Sequence, residues 1–530
     1  MSFESSYSSS IEGFEKYRHI TGFILGPIIF FSILFISTPE SFINNARNLL
    51  PPSASEEQVL QIAYGTKVTL GLLLLMVIWW ITEAVPIPVT AILPGIVLPV
   101  FHITGLYQGK IFQFTGKNIL ANYANPIIFL FLAGFLLAAA LQKWKLDRRL
   151  TLYILTRGNL ANNTGSILLG MMSIAAFLSM WISNTATTAM LLPLGAGVLA
   201  QSGSRIGESN FGKSLMLGIA WGASIGGVGT IIGTPPNGIC VSILSASGIR
   251  QINFIEWMKF GIPFVILFIP IAWFIISKIF PPEIKNIQGG KKLLLEQKNK
   301  LGAWSKAEKL TIAGFLIIVL LWISNPFWLY IFPVRLSENL KWFDENIIAL
   351  FGVLILFLLP VDWKRQKFVL DWSDAKFVDW GTLLLFGGGI ALSDGMFKTG
   401  LANWMANTAV SFLGSPSTLI IMFVLIVLME LLTEVTSNTA VVSMMIPIII
   451  SIANGTGNDP VALSVAATLA ASMAFMLPVA TPPNALVYGT GYIKITDMVK
   501  GGVVLDIIAW IFTAAMVYFV ADKLLGVISF

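Results

Sequence analysis

Cysteine and histidine are almost missing from these 530 residues: there is one cysteine, Cys240, and two histidines, His19 and His102. A lone cysteine excludes an intrachain disulfide and a cysteine-based metal site. Two histidines leave zinc sites and serine–histidine chemistry with almost nothing to work with, and no His-Glu-x-x-His is present. The chain therefore reads as something other than an enzyme. Charge is scarce too, at 11% of residues, against about 25% in an ordinary soluble domain. What fills the space is apolar: 56% of residues belong to the AVILMFWYC set, and mean hydropathy is +0.81. That excludes a soluble globular or disordered chain. The apolar runs are continuous rather than alternating, which argues against an outer-membrane barrel. The net charge of +6 says little about partners, because basic residues in such a chain mark cytoplasmic loops. Nothing points to nucleic acid.

The first 19 residues are polar, and the run from Ile20 to Thr38 is too long for a signal h-region, so it reads as a first membrane helix. No organellar targeting segment is apparent, so the plasma (inner) membrane is the expected location. Single crossings are expected at 20–38, 67–82, 86–103, 125–142, 260–281, 310–327, 345–361, 380–397 and 501–521. Three uncharged stretches, 158–204, 214–249 and 460–493, do not fit simple crossings. The basic clusters Lys143, Lys145, Arg148, Arg149, Arg157 and Lys285 to Lys309 read as cytoplasmic. Orientation then balances if 158–204 dips in and returns to its own side, with about eleven spans, a cytoplasmic N-terminus and an external C-terminus. The segment Trp144–Asn159 is expected as an interfacial helix with Leu146, Leu150, Tyr153 and Ile154 on its lipid side.

The chain repeats itself. Ser183-Asn184-Thr185-Ala186 returns as Ser437-Asn438-Thr439-Ala440, with Pro193 and Pro447 at the same distance after each and Ser179 and Thr433 at the same distance before. Thr234-Pro235-Pro236-Asn237 returns as Thr481-Pro482-Pro483-Asn484. The expected organisation is a segment 1–66 with the first membrane helix, a first half 67–281 with a re-entrant hairpin about 163–202, a cytoplasmic linker 282–309, and a second half 310–530 with a hairpin about 415–456. The second hairpin is expected to open from the opposite side, a known transporter plan. Gly387-Gly388-Gly389 lacks the rest of a phosphate loop and reads as a close-packing site.

The polar motifs sit where helices should break. Paired prolines after Thr234 and Thr481 disfavour an unbroken helix, and a polar tripeptide deep in an apolar run must line a cavity or be buried in protein. Broken helix ends offer amides to an anion and carbonyls to a cation. Neither hairpin run holds a lysine or arginine, so an anionic substrate must be met by helix ends or by bound cations. Hydroxyl, amide and carbonyl oxygens suit sodium. Glu434 reads as a structural carboxylate bonding the hairpin backbone rather than a proton carrier.

The doubled Ser-Asn-Thr and Thr-Pro-Pro-Asn motifs, the stretch Thr82-Glu83-Ala84-Val85-Pro86-Ile87-Pro88-Val89-Thr90 and the run Met476 to Asn484 together resemble the divalent-anion:sodium symporter family over about residues 67–521. The resemblance implies an all-α polytopic membrane protein that carries C4-dicarboxylates such as succinate, malate and fumarate, or citrate or sulfate in some branches. It also implies a homodimer in lipid, with a scaffold and a transport domain in each protomer moving as an elevator. Carried over, one sodium site comprises Ser179, Ser183, Asn184 and the carbonyl of Gly233. The other comprises Thr433, Thr436, Asn438 and the carbonyl of Ala480. The substrate would meet Ser183, Asn184, Thr185, Thr234, Pro235, Ser437, Asn438, Thr439, Thr481 and Pro482. At least two sodium ions are implied and no organic cofactor. The family's exchangers carry basic residues where symporters hold sodium; Ser, Thr and Asn here favour sodium coupling over sodium-independent exchange.

Overall fold

The computed structural model describes residues 2–521 apart from 158–162, 288, 332, 334–337, 341 and 415. Among the described residues eight helices are long and apolar enough to cross a membrane. Six of them, Lys16–Phe35, Glu56–Thr82, Gly116–Lys143, Phe254–Ile279, Lys306–Phe327 and Ile495–Val520, coincide with expected single crossings. The other two, Thr418–Val435 and Asn438–Thr456, are the arms of the second hairpin. Three expected crossings look different. Segment 86–103 is two short helices, Ile87–Thr90 and Leu93–Val100, because Pro86, Pro88, Pro94 and Pro99 each remove a backbone donor. Glu345–Leu358 is a shorter helix. Trp380–Lys398 is a continuous helix whose triple glycine dilutes its apolar character.

Those glycines serve contact. A Cβ on Gly388 would fall on the Ala91 carbonyl, and one on Gly387 would stand 2.8 Å from the Tyr123 Cα. The helix thus touches the broken 86–103 segment backbone to backbone, as the sequence reading expected.

Both long uncharged hairpin and break regions fold as two matched units. In the first half, the hairpin arms Thr164–Ser179 and Asn184–Gln201 are followed by Asn210–Gly227, a non-helical stretch, and Pro235–Ala246. In the second, the arms are followed by Pro460–Ala471, a non-helical stretch, and Pro482–Tyr488. The inbound arm of the first hairpin lies flush on Asn210–Gly227. Gly218, Gly222 and Gly226 recur every fourth residue on that helix; a Cβ on Gly222 would stand 2.8 Å from the Met172 carbonyl oxygen, and one on Gly226 would overlap the Ala176 backbone. Small residues at this spacing let two helices approach closely where no water drives them together.

Charges at the helix ends tie segments together. Lys143 Nζ lies 2.9 Å from Asp371 and 2.7 Å from Asp374. Arg149 is buried, with Nε donating to Glu308 Oε1 at 2.5 Å and its outer nitrogens to the Leu301 and Gly302 carbonyls at 3.0 Å each. These residues, expected from the sequence only as markers of a cytoplasmic face, fasten the chain after residue 143 to segments far away in sequence. The helix Leu146–Leu155 also departs from the expected lipid-facing pattern. Leu146 is buried, Leu150 and Ile154 pack on the core, and only Tyr153 is exposed; positions 158 and 159 of the expected segment lie outside the described residues. Glu283 caps Asn210–Gly227 by accepting from the Asn210 and Phe211 amides. Burial pushes its carboxyl up, but these bonds outweigh it and hold the carboxyl below the ordinary glutamate value.

Candidate functional site

The first hairpin turns at Met180–Ser183. Ser183 leaves helical geometry at φ −56°, ψ 146° and accepts from the Ala186 amide at 3.3 Å, starting the outbound arm. The second turns at Thr436 and Ser437, with Thr436 fully extended at φ −149°, ψ 170°. Each break ends at a threonine in nearly the same backbone state: φ −143°, ψ 139° at Thr234 and φ −143°, ψ 147° at Thr481. Two prolines follow in the first turn of each short helix, where a missing N–H costs nothing. Four helix N-termini, those of Asn184, Pro235, Asn438 and Pro482, are thus created inside the apolar body by the sequence motifs.

The side chains repeat as the backbone does. Ser179 Oγ donates to Asn184 Oδ1 at 2.5 Å, and Thr433 Oγ1 donates to Asn438 Oδ1 at 2.6 Å. The Gly233 amide approaches the Thr230 carbonyl at 3.3 Å, and the Ala480 amide the Leu477 carbonyl at 3.3 Å. Gly233 is wedged against the first tip: a Cβ there would stand 2.9 Å from the Ser179 carbonyl oxygen and overlap that of Gly227. A Cβ on Gly227 would in turn stand 2.5 Å from Asn184 Oδ1. Ser179, Asn184, Gly227 and Gly233 are therefore gathered into one oxygen-rich cluster. Ser183 shares a small cavity with Gly233, Pro235 and Trp181.

In the second half Thr433 also donates to the Ala471 carbonyl at 2.9 Å, while Asn438 closes the tip. Thr436 is placed differently from its expected partners: its hydroxyl donates to the Trp80 carbonyl at 3.0 Å, docking the tip on the helix Glu56–Thr82. Glu434 uses both oxygens on the second break, accepting from the Met476 amide at 2.9 Å and the Leu477 amide at 3.0 Å. Glu434 thus bonds backbone, but that of the second break rather than of its own hairpin as the sequence suggested. The first half uses a neutral lock instead, Thr230 Oγ1 donating to the Met180 carbonyl at 2.5 Å.

The halves interleave. The outbound arm of the first hairpin packs on Pro482–Tyr488, and the outbound arm of the second packs on Pro235–Ala246. Thr185 and Pro482, from opposite halves, line one open cavity. Ser183 and Thr185 are exposed, Asn184, Pro235, Ser437, Asn438 and Thr439 half-buried, and Thr234 and Thr481 buried. Two cations near the first hairpin and break in sequence are paired with acids: Lys213 with Asp497 at 2.9 Å, and Arg205 with Glu208 at 3.7 Å. Among the described residues no group of three or more His, Cys, Asp or Glu side chains is arranged to hold a metal ion. What the cluster offers is hydroxyl, amide and carbonyl oxygen, a donor set that fits sodium.

Sequence reasoning did not assign Thr230, Gly227, Ala471, Trp80 or the two asparagines Asn237 and Asn484. The asparagines were visible as the last residues of the doubled motif; the others carry no local signal.

Two interleaved repeats, each with a helical hairpin and a broken helix, define a membrane transporter architecture. The chain overlays on the YdaH transporter of Alcanivorax borkumensis with a TM-score of 0.56 at 13% identity, covering 85% of this chain and 98% of that one. At that identity the likeness concerns fold alone. The family described as sodium:sulfate symporter transmembrane region matches residues 60–525, and the chain belongs to this divalent anion:sodium symporter family. Among its relatives are proteins named sodium-dependent dicarboxylate transporter SdcS. The one from Staphylococcus saprophyticus is 35% identical over 96% of this chain and 92% of its own length. That of Staphylococcus aureus strain NCTC 8325 is 35% identical over the same shares. The chain is thus a transporter and an integral membrane protein, not an enzyme.

Proposed function

We propose that this protein is a sodium-coupled symporter of C4-dicarboxylates, succinate, malate or fumarate, working by elevator-type alternating access. The observation that carries the reading is the matched pair of neutral oxygen clusters, Ser179–Asn184–Gly233 and Thr433–Asn438–Ala480, at helix ends where no lysine or arginine among the described residues is engaged. The names of the curated relatives support sodium and dicarboxylate together.

In this reading each cluster takes one sodium ion. The substrate carboxylates are met by the tips at Ser183, Asn184, Thr185, Ser437, Asn438 and Thr439 and by the breaks at Thr234, Pro235, Thr481 and Pro482. A dianion next to no arginine or lysine needs at least two cations for neutrality, so substrate binding without sodium is weak. A third sodium makes each cycle electrogenic, worth about 2.3 kcal/mol per charge per 100 mV. The hairpins and broken helices form the transport domain, and the second tip's contact with the Trp80 carbonyl is where it rests on the scaffold. The protein works as a homodimer in the plasma membrane, N-terminus cytoplasmic and C-terminus external, with its two repeats inverted.

The test is uptake of labelled succinate into proteoliposomes with an inward sodium gradient, then with choline replacing sodium. Accumulation that requires sodium supports the reading. Uptake that ignores sodium but requires internal dicarboxylate replaces it with exchange.

A further inference from the structure

The last residue of each Thr-Pro-Pro-Asn motif makes the same pair of bonds. Asn237 Nδ2 donates to the Gly227 carbonyl at 3.0 Å and to the Thr230 carbonyl at 2.8 Å. Asn484 Nδ2 donates to the Ala474 carbonyl at 3.0 Å and to the Leu477 carbonyl at 3.1 Å. The four acceptors occupy equivalent places, ten and seven residues before each asparagine. All four are carbonyls and accept only, so the amide NH2 must face them and its orientation is fixed. Both side chains are fully buried, and neither Oδ1 meets a hydrogen-bond donor. Asn237 thus joins the last residue of the helix Asn210–Gly227 to the loop that leads to the short helix, and Asn484 ties together two turns of the loop that follows Ala471.

These bonds reach the oxygen clusters directly. Gly227, whose carbonyl Asn237 holds, is the residue in contact with Asn184 Oδ1 and Gly233. Leu477, whose carbonyl Asn484 holds, is the residue whose amide Glu434 holds and whose carbonyl the Ala480 amide approaches. A helix that stops in an apolar body leaves carbonyls unsatisfied, and a buried carbonyl without a donor is costly. The asparagines remove that cost and fix the loops at the same time.

We infer that Asn237 and Asn484 are positioning residues for the two sodium sites, one in each half, setting where the break carbonyls stand relative to the hairpin tips. The inference rests on the sodium-symport reading and adds residues to it. Partners that orient ligating groups govern affinity without touching the ion, and losing one typically costs ten- to a hundredfold in metal affinity.

The experiment uses the full chain in proteoliposomes, with Asn237→Asp, Asn237→Ala, Asn484→Asp and Asn484→Ala. Ala removes both donors; Asp keeps the shape but, held neutral by burial, offers one O–H donor for two carbonyls, and the Oδ1 side has no donor with which to compensate. The sodium midpoint of succinate uptake should rise by about tenfold or more in each, with the maximal rate at saturating sodium kept within about twofold. A residue that only stabilised the fold would lower the amount of active transporter and leave the midpoint alone. Amide hydrogen exchange gives a second readout that needs no ion. The Asn237 variants should lose protection in 228–234 while 472–481 stays protected, and the Asn484 variants the reverse.

An unmoved sodium midpoint in folded variants, with the wild type sodium-dependent, overturns this inference alone. Unchanged exchange in both loops overturns it as well. Wild-type uptake indifferent to sodium removes the symport reading and this inference with it.

Discussion

Glu434 offers the sharpest test of how the second tip and second break are held together. Its side chain is buried, and its two oxygens accept from the Met476 and Leu477 amides at 2.9 and 3.0 Å. Replacing it with Ala leaves both amides buried without an acceptor, at about 1–3 kcal/mol each, so about 2–6 kcal/mol in all. Replacing it with Gln keeps one acceptor oxygen and turns a donor toward the other amide, so about half of that is lost. If the Gln loss, about 2 kcal/mol, fell wholly on the sodium-binding shape of loop 472–481, the sodium midpoint would rise by about thirtyfold. Relaxation of the loop makes this an upper bound, and a rise of about three- to thirtyfold is expected. The assay is sodium titration of succinate uptake by Glu434→Gln in proteoliposomes, beside thermal unfolding of the same preparation. An unchanged midpoint in a folded variant refutes the reasoning. So does a gain in thermal stability, because Asp506 lies beside Glu434 and a gain would mean that relief of crowding between two acids outweighs the lost acceptor.

Three further outcomes follow from the same geometry. Asn184→Ala and Asn438→Ala, which break the bonds to Ser179 and Thr433, should each raise the succinate KM and the sodium midpoint together; an untouched sodium midpoint for either would remove that tip from the cation site. Gly226→Val places a branched side chain on the Ala176 backbone and should cost about 3 kcal/mol, the upper end of the overpacking range because the clash is with backbone, read as loss of monodisperse protein on size-exclusion chromatography. Arg149→Ala leaves Glu308 buried without its partner and should lower stability by about 3–5 kcal/mol, with succinate KM nearly unchanged in the protein that remains.

Much of the site was legible because membrane burial penalises polar residues wherever they serve no purpose. Ser183-Asn184-Thr185 and Ser437-Asn438-Thr439 stand out in uncharged runs for that reason, and Thr-Pro-Pro-Asn announces a helix break through the missing amides of two prolines. Glu434 was read as a carboxylate bonding the hairpin backbone; both of its oxygens do bond backbone amides, but those of the break at Met476 and Leu477. The triple glycine was read as a packing surface, and it is one. What the sequence did not show shares a cause. Lys143 and Arg149 carried only a topological reading because charge bias is a local signal, whereas Asp371, Asp374 and Glu308, which they bind, lie far along the chain. Leu146 was assigned to lipid because helical spacing shows that a face is apolar but not what covers it. Segment 86–103 was expected as one crossing, and the division of its helix was missed because hydropathy averages ignore where prolines fall.

The sequence by itself determined the membrane class, the two related halves, the tips, the breaks and the neutral oxygen chemistry, since each depends on residue type and on short, repeated spacing. Only the tertiary structure decided that the first hairpin packs against the second half's break and the second hairpin against the first's. It alone turned the Thr436 hydroxyl to the Trp80 carbonyl and gave Asn237 and Asn484 their carbonyls. The physical reason is that backbone carbonyls and amides look alike at every position in a sequence. Which of them a buried side chain satisfies is fixed when helices distant along the chain are brought within about 3 Å of one another.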